Sequence, residues 1–429
     1  MKLAAAKTSA LLSLLFIGVY ATCSWITAHR SDVGTWFFDW ERHIPFVPLM
    51  ILPYMSIDLF FVAAPFLCRS RQEMRLLARR IAFVIVVAGL CFLLFPLRFA
   101  FPRPQPEGWL GAIFGFLHGF DAPYNLFPSL HIALRTILAD LYFDHTRGGL
   151  RVLTTVWFSL IGFSTVLTYQ HHVVDVLGGF ALAVLCFYMF RAETARPPIS
   201  PNRRIGARYA IASAATGALA FLAWPWTAIL LWPSLSLGVV ACAYLGVGPV
   251  IFRKENGRLP FASRLLLGPC LLGQFLSWRY YRSQCDAWNE ITPTVWIGAR
   301  LSEPEAADAV RRGITAVLDL TAEFNEARSF CDVLYRNIPI LDLTGPTTGQ
   351  LRDAVEFIEQ HAGSGKVYVH CKIGYSRSAA VVGAWLLATN RAGSVDDAFG
   401  QLRRVRPGIV IRPEAREAME RFANAVMAA

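Results

Sequence analysis

Charge is scarce in this chain: of 429 residues only 17% are Asp, Glu, Lys or Arg, against 55% apolar. An average soluble domain carries about 25% charged residues, so a wholly soluble globular protein is excluded and much of the chain must face lipid. Paired cysteines are lacking as well. The nine Cys residues stand singly, mostly inside apolar stretches, with no CxxC and no metal-ligand spacing. Reduced thiols are expected, with no disulfide framework, metal or other cofactor. Internal repeats and low-complexity tracts are also missing. The net charge of +11 forms no basic face, because the Arg residues cluster in short loops between apolar runs. That is the pattern of membrane topology, and no nucleic-acid partner is expected.

What is present in abundance is apolar runs near the length of about 20 residues that a helix needs to cross a bilayer. Eight are expected as spans, centred on 8–27, 45–67, 81–97, 126–143, 152–169, 173–190, 209–224 and 227–251. Lys2 and Lys7 precede the first run, which is too long for the core of a cleaved signal and is expected to be retained. Arg69, Arg71, Arg75, Arg79 and Arg80 fill one short loop, and Arg191, Arg196, Arg203, Arg204 and Arg208 another. Positive loops stay cytoplasmic, which puts the segments around Arg103 and His171 outside. A short run from Phe261 to Trp278 is interrupted by Gly268, Pro269 and Gly273 and flanked by basic residues. An interfacial helix is expected there, leaving the rest of the chain cytoplasmic; a ninth span would put it outside.

From about Trp288 short β-rich runs (TVWIGA, TAVLDL, KVYVH) alternate with amphipathic helical stretches, the pattern of a soluble α/β domain with a central sheet flanked by helices. The expected division is a polytopic all-α membrane domain over 1–252, with its core at about 80–190, an interfacial helix and linker over 253–287, and the α/β domain over 288–429.

Within the α/β domain, KVYVH predicts a buried strand and SAAVVGAWLLAT an apolar helix, so HCKIGYSRS lies on the turn between them. Successive backbone N–H groups in such a turn, with the positive end of the helix dipole behind them, form an oxyanion cradle over Lys372, Ile373, Gly374, Tyr375, Ser376, Arg377 and Ser378. The same field favours the thiolate of Cys371 as nucleophile. Arg377 can grip two phosphate oxygens with its planar fork, Gly374 permits the sharp turn, and Ser378 can donate to the departing sulfur. His370 is expected to orient the loop. Thiolate attack on a phosphomonoester needs a proton donor for the leaving oxygen. Asp342, which follows NIPIL and opens the turn-rich DLTGPTTGQ, is the candidate; Asp319, near Glu323, is the competitor and looks structural.

HCKIGYSRS together with NIPILD resembles the signature of dual-specificity protein phosphatases, within the protein-tyrosine-phosphatase superfamily, over roughly 288–429. The resemblance implies a metal-independent phosphomonoesterase with a cysteinyl-phosphate intermediate and a shallow site open to varied phosphoesters. Lys372 in the loop and the adjoining apolar segments favour an anionic lipid headgroup, such as that of phosphatidylglycerophosphate or a phosphoinositide, over a phosphoprotein.

A second set of ionisable residues lies among the apolar runs, where such groups are costly unless used. FPSLH ends at His131, and STVLTYQHHVVD spaces His171 and Asp175 four apart, as on one helical face, so Asp175 can hold the imidazole. His171 can then act as nucleophile toward phosphorus, with His131 protonating the leaving group and Arg103 and Ser129 binding the equatorial oxygens. This set resembles the type 2 phosphatidic acid phosphatase superfamily over about 96–175. Arg103-Pro104, Pro128-Ser129-Leu130-His131, Ser164, His171 and Asp175 fit the pattern, whereas Pro96 and Thr165 replace two of its cations. That departure is similar to the inositol phosphorylceramide and sphingomyelin synthase branch, in which a headgroup is transferred between lipids.

Together these observations predict a bifunctional, multi-pass enzyme of phospholipid metabolism in a bacterial inner membrane, with a histidine site outside and a cysteine site inside. A competing expectation makes the membrane part an inactive lipid sensor for a protein tyrosine or serine phosphatase. A third, a purely structural anchor, predicts that activity survives removal of residues 1–260.

Overall fold

The computed structural model describes residues 1–120, 122–191, 199–222 and 226–427, so Arg196 of the second basic loop lies outside the described residues. The chain divides into two compact units, Met1–Ala192 and Glu193–Ala429.

The first unit is helical: α1 Lys2–Ala28, α2 Ile51–Leu67, α3 Arg71–Leu94, α4 Gly108–Phe120, α5 Leu130–His145, α6 Gly148–Leu167 and α7 Val173–Met189. Its core gathers Ile57, Phe61 and Ala64 of α2, Ile81, Ile85 and Ala88 of α3 and Ala133, Ile137 and Leu138 of α5. The i, i+4, i+7 spacing of the α2 and α3 positions, and the i, i+4, i+5 spacing in α5, build one apolar stripe per helix. A side chain at Gly89 would run into Val19 of α1, so the missing Cβ is what lets α1 and α3 approach.

The second unit begins with α8 Arg203–Leu222 and α9 Leu231–Cys242, which pair as a hairpin, then α10 Phe261–Leu266 and α11 Gly268–Arg282. Six helices among the described residues are long and apolar enough to cross a membrane: Lys2–Ala28, Pro48–Leu67, Arg71–Leu94, Gly148–Leu167, Arg203–Leu222 and Ala228–Val247. Eight were expected. The other two are α5, of 16 residues, and α7, of 17, about 24–26 Å long at 1.5 Å per residue and short of a 30 Å hydrocarbon core. The run at 261–278 breaks between α10 and α11, because Pro269 has no N–H to continue the helix and stands at its first turn.

The α/β domain follows: β1 Trp288–Thr292, β2 Val295–Ala299, α12 Glu303–Arg311, β3 Ile314–Thr321, α13 Arg328–Cys331, β4 Leu334–Ile340, α14 Thr348–Ala362, β5 Lys366–Cys371, α15 Arg377–Ala388, α16 Val395–Val405 and α17 Pro413–Met427. The strands form one sheet in the order β1-β2-β5-β3-β4, antiparallel at β1–β2 and parallel elsewhere. β5 is central and buried on both faces. Its period of two sends Val367, Val369 and Cys371 toward α14–α17, and Tyr368 to the opposite face with Phe330 of α13. That alternation separates Cys371 from the neighbouring His370 and assigns them to different surroundings.

Candidate active sites

The Cys371 loop joins the end of β5 to α15. Its carbonyls turn outward: that of Lys372 accepts from the Arg300 N–H at 3.2 Å, and those of Ile373 and Gly374 accept from Arg406 at 2.9 and 3.2 Å. The Gly374 N–H turns inward and reaches Cys371 Sγ at 3.3 Å, with Ser378 Oγ at 3.4 Å on the other side. Gly374 holds a φ of +81°, which an L side chain adopts only with strain. Burial would raise the Cys371 thiol, but the charge of Arg377 and the bonds from Ser378 and Gly374 outweigh it and hold the thiol below its ordinary value.

Arg377 is buried, and its fork is clasped by Glu323 at 2.9 and 3.3 Å and by the Ile340 carbonyl at 2.8 Å. Asp342 reaches the same guanidinium at 3.2 Å and Lys372 Nζ at 3.3 Å, and Lys372 also donates to Gln274 Oε1 at 2.8 Å. Desolvation pushes the Asp342 carboxyl up, yet Arg377 and Lys372 hold it below the usual carboxylate range. A cavity of about 790 Å³ contains Asp342, Cys371, Lys372, Ile373, Tyr375, Ser376 and Arg377 in its lining. Lys372, Ile373, Tyr375, Ser376 and Arg377 of the loop singled out from the sequence therefore meet Cys371 and Asp342 in one cavity, and Gly374 reaches the sulfur through its N–H. Ser378 stays underneath, fully buried beside the sulfur.

Asp319 is separated from this cavity. Its carboxylate is buried and bound by Lys254 Nζ, by Tyr335 Oη at 2.7 Å and by the Thr321 N–H at 2.7 Å. His370 lies beneath the loop with Nε2 at 2.9 Å from Glu326; burial opposes its charge, but Glu326 and Asp319 raise its pKa. Asp319, Glu326 and His370 are one set among the described residues with ligand atoms near enough to hold a metal. With the Lys254 ammonium already on Asp319, the set is a paired charge network.

Glu323, Arg406, Gln274 and Lys254 were not assigned to this site from the sequence. Glu323 stood out only as a structural carboxylate near Asp319. Lys254 and Arg406 lie in polar stretches and Gln274 in the interrupted apolar run at 261–278, and none of the three carries a distinguishing signal.

In the first unit, a mainly apolar cavity of about 310 Å³ brings together His131 and His171, with Tyr54, Asp58 and Asn125 also on its wall. The His131 ring stacks on Tyr54 with centroids 4.2 Å apart, and its Nε2 has no hydrogen-bond partner among the described residues. His171 does not share a helical face with Asp175, as the spacing suggested. It lies in the turn before α7, because Asp175, the third residue of that helix, turns its carboxylate back to close the helix start, accepting the N–H of the cap residue His172 at 2.8 Å. His171 Nδ1 remains 3.6 Å from Asp175 Oδ2, beyond hydrogen-bond length.

Ser129 is likewise a cap: its Oγ accepts the Ile132 N–H at 3.3 Å and its own N–H reaches the Asp175 carbonyl at 2.9 Å. Arg103 sits over the Phe99 ring at 5.7 Å. Arg103, Ser129 and Asp175 are outside the lining of the cavity. The neighbouring His172 is the more tightly held imidazole, with Nδ1 donating to Glu41 at 3.0 Å and Nε2 accepting the Ala100 N–H at 3.1 Å. Glu41, 131 residues earlier, gave no sequence signal.

Two family profiles match the chain: Dual specificity phosphatase, catalytic domain, over residues 295–424, and PAP2 superfamily over residues 32–189. Phosphatidylglycerophosphate phosphatase PTPMT2 of Arabidopsis thaliana is 29% identical over 40% of this chain and 78% of its own. Human phosphatidylglycerophosphatase and protein-tyrosine phosphatase 1 is 30% identical over 34% of this chain and 78% of its own. A crystal structure of PTPMT1 in complex with PI(5)P aligns with 33% of this chain and 98% of that one, at 27% identity and a TM-score of 0.31. The chain is a phosphatase that belongs to the dual-specificity phosphatase family through its C-terminal domain and carries a PAP2 superfamily domain ahead of it.

Proposed function

We propose that the protein is a membrane-embedded phosphatase that removes the terminal phosphate of a phospholipid headgroup through a cysteinyl-phosphate intermediate. The observation that carries this reading is the juxtaposition of a charge-stabilised Cys371 sulfur, the Glu323-braced Arg377 fork and Asp342 in one cavity. The similarity to phosphatidylglycerophosphate phosphatases favours the same class of substrate.

Cys371 Sγ attacks phosphorus in line, and the bond from phosphorus to the headgroup oxygen breaks. Arg377 and the loop amides hold the equatorial oxygens. When the phosphate claims Arg377 and Lys372, Asp342 loses both cations and gains a neighbouring anion, so its pKa rises and it takes up a proton from water or from the phosphate monoanion. It gives that proton to the departing alkoxide, then takes one from the water that releases inorganic phosphate and regenerates the thiolate. No metal is needed for these steps.

The first unit supplies a second phosphorus site, a lipid phosphatase or headgroup transferase with His171 as nucleophile and His131 as acid. The paired histidines on the wall of an apolar cavity support it, while Asp175 at 3.6 Å needs a small closure to orient His171. The basic loops support a reading in which the protein sits in an inner membrane with the Cys371 domain cytoplasmic.

The test is a panel of lipid phosphates and an aryl phosphate, assayed in chelator with wild type, Cys371→Ser and His171→Ala. Cys371→Ser is expected to lose phosphomonoester turnover by on the order of a thousandfold or more, while His171→Ala spares it and loses turnover of a separate lipid. Wild-type monoester turnover in Cys371→Ser would refute the C-terminal assignment, and an unchanged lipid panel in His171→Ala would refute the second site.

A further inference from the structure

The cavity above Cys371 is walled on its far side by helices outside the α/β domain. Tyr209 of α8, Pro233 and Leu237 of α9, and Cys270, Gly273, Gln274, Ser277 and Tyr281 of α11 face Asp342, Lys372 and Arg377 across it. About 14 Å of helix separates Pro233 from the end of α9 at Cys242. The cavity therefore runs from the phosphate loop well along a hairpin whose helices are long and apolar enough to cross a membrane.

α11 is arranged inside out for a soluble helix. Its small and polar residues Cys270, Gly273, Gln274 and Ser277, at i, i+3, i+4 and i+7, line the cavity, while Leu272, Phe275 and Leu276 on the opposite side are 59%, 43% and 56% exposed. Such a helix suits a position with lipid on its outer face and a polar ligand on its inner one. The cavity is graded in the same sense, with the cations Lys372, Arg377 and Arg412 at the loop end and Pro233, Leu237 and Pro269 toward the hairpin.

We propose that this cavity is a lipid subsite, in which the glycerol backbone and first acyl carbons of a phospholipid phosphomonoester lie between α9 and α11 while its phosphate rests on the Cys371 loop. The inference rests on the phosphatase reading of that loop and adds that helices ahead of the α/β domain select a substrate still anchored by its acyl chains. The Gln274 amide, which already orients Lys372 at 2.8 Å, sits where the cationic and apolar ends of the cavity meet.

Added bulk on the inner face of α11 tests this. A side chain at Gly273 meets no heavy atom within 4 Å at its Cβ, so Gly273→Phe fills the cavity without a clash against the protein; Ser277→Phe fills it one turn further on. The full chain in dioleoylphosphatidylcholine vesicles is assayed with dioleoyl phosphatidylglycerophosphate in the same vesicles and with its dihexanoyl analogue added from water. The ratio of long-chain to short-chain turnover is expected to fall at least tenfold in both variants and to stay at the wild-type value in Leu276→Phe, on the exposed face. An unchanged ratio in both filled variants, or an equal fall on the two substrates, overturns the subsite. Loss of turnover on both substrates in Cys371→Ser reports separately on the phosphatase reading, which fails if that variant stays active.

Discussion

At Asp342 two cations, Arg377 and Lys372, win against the desolvation that would keep the carboxyl protonated. The resting group is an anion, and only an arriving phosphate that draws off both cations turns it into an acid. Cys371 is shifted in the favourable sense from the start, since its depressed thiol pKa lets the thiolate form below the ordinary range near 8.5. The rate should therefore rise with pH through the Cys371 value and fall again as Asp342 in the substrate complex loses its proton. Asp342→Asn is expected to flatten that alkaline fall and to slow alkyl phosphates about a hundredfold while slowing nitrophenyl phosphate much less. Equal slowing of both substrates would move the acid elsewhere. Among single residues, Cys371, Arg377 and Gly374 were legible because their spacing and their strand and helix context lie within one short stretch. Glu323 was not, because nothing in VLDLTAE announces that its carboxylate will clasp a guanidinium 54 positions on.

The phosphate loop is shaped as an element by one side chain from the segment after α16. Arg406 is buried and holds the carbonyls of Ile373 and Gly374, with Asp286 O and Asn289 Oδ1 also bound. Turning those carbonyls outward is what points the amides in. Arg406→Met leaves them buried and unsatisfied, which costs about 3 kcal/mol or more at 1–3 kcal/mol per orphaned group. Its denaturation midpoint should fall accordingly, and phosphatase kcat should drop even at temperatures where circular dichroism shows the variant folded. Retained kcat would mean that the loop keeps its shape unaided. The same scale explains the misplacement of His171. A spacing of four is compatible with one helical face, yet an Asp three residues after the first uncapped N–H closes the helix start more effectively, and the helix begins after the histidine. α7 lies within one residue of the span expected at 173–190, whereas α5 starts later than the one expected at 126–143 because Ser129 caps it.

For the whole molecule, the composition shift near Trp288 marked the start of the sheet, and strand alternation fixed the α/β class. The contacts that reach back across that boundary were not legible, because each is made by a common polar residue. Asn202 donates to the Leu343 carbonyl at 3.0 Å, Tyr244 donates to the Asp342 carbonyl at 2.8 Å, and Gln274 accepts from Lys372. Lys254, in the polar stretch RKENGR, neutralises Asp319 with a side chain only 2% exposed. Cutting the chain at residue 260 removes that ammonium and strands a buried carboxylate, a loss of about 3–5 kcal/mol. A fragment of residues 261–429 should melt roughly 10 °C below one of residues 199–429, and equal melting temperatures would show the pair to be dispensable. A simple anchor would instead leave both activity and melting temperature unchanged by that cut. The boundary drawn by the sheet is not the boundary of the folding unit: expression trials that begin at the first strand would discard the counter-ion on which the enzyme's own interior depends.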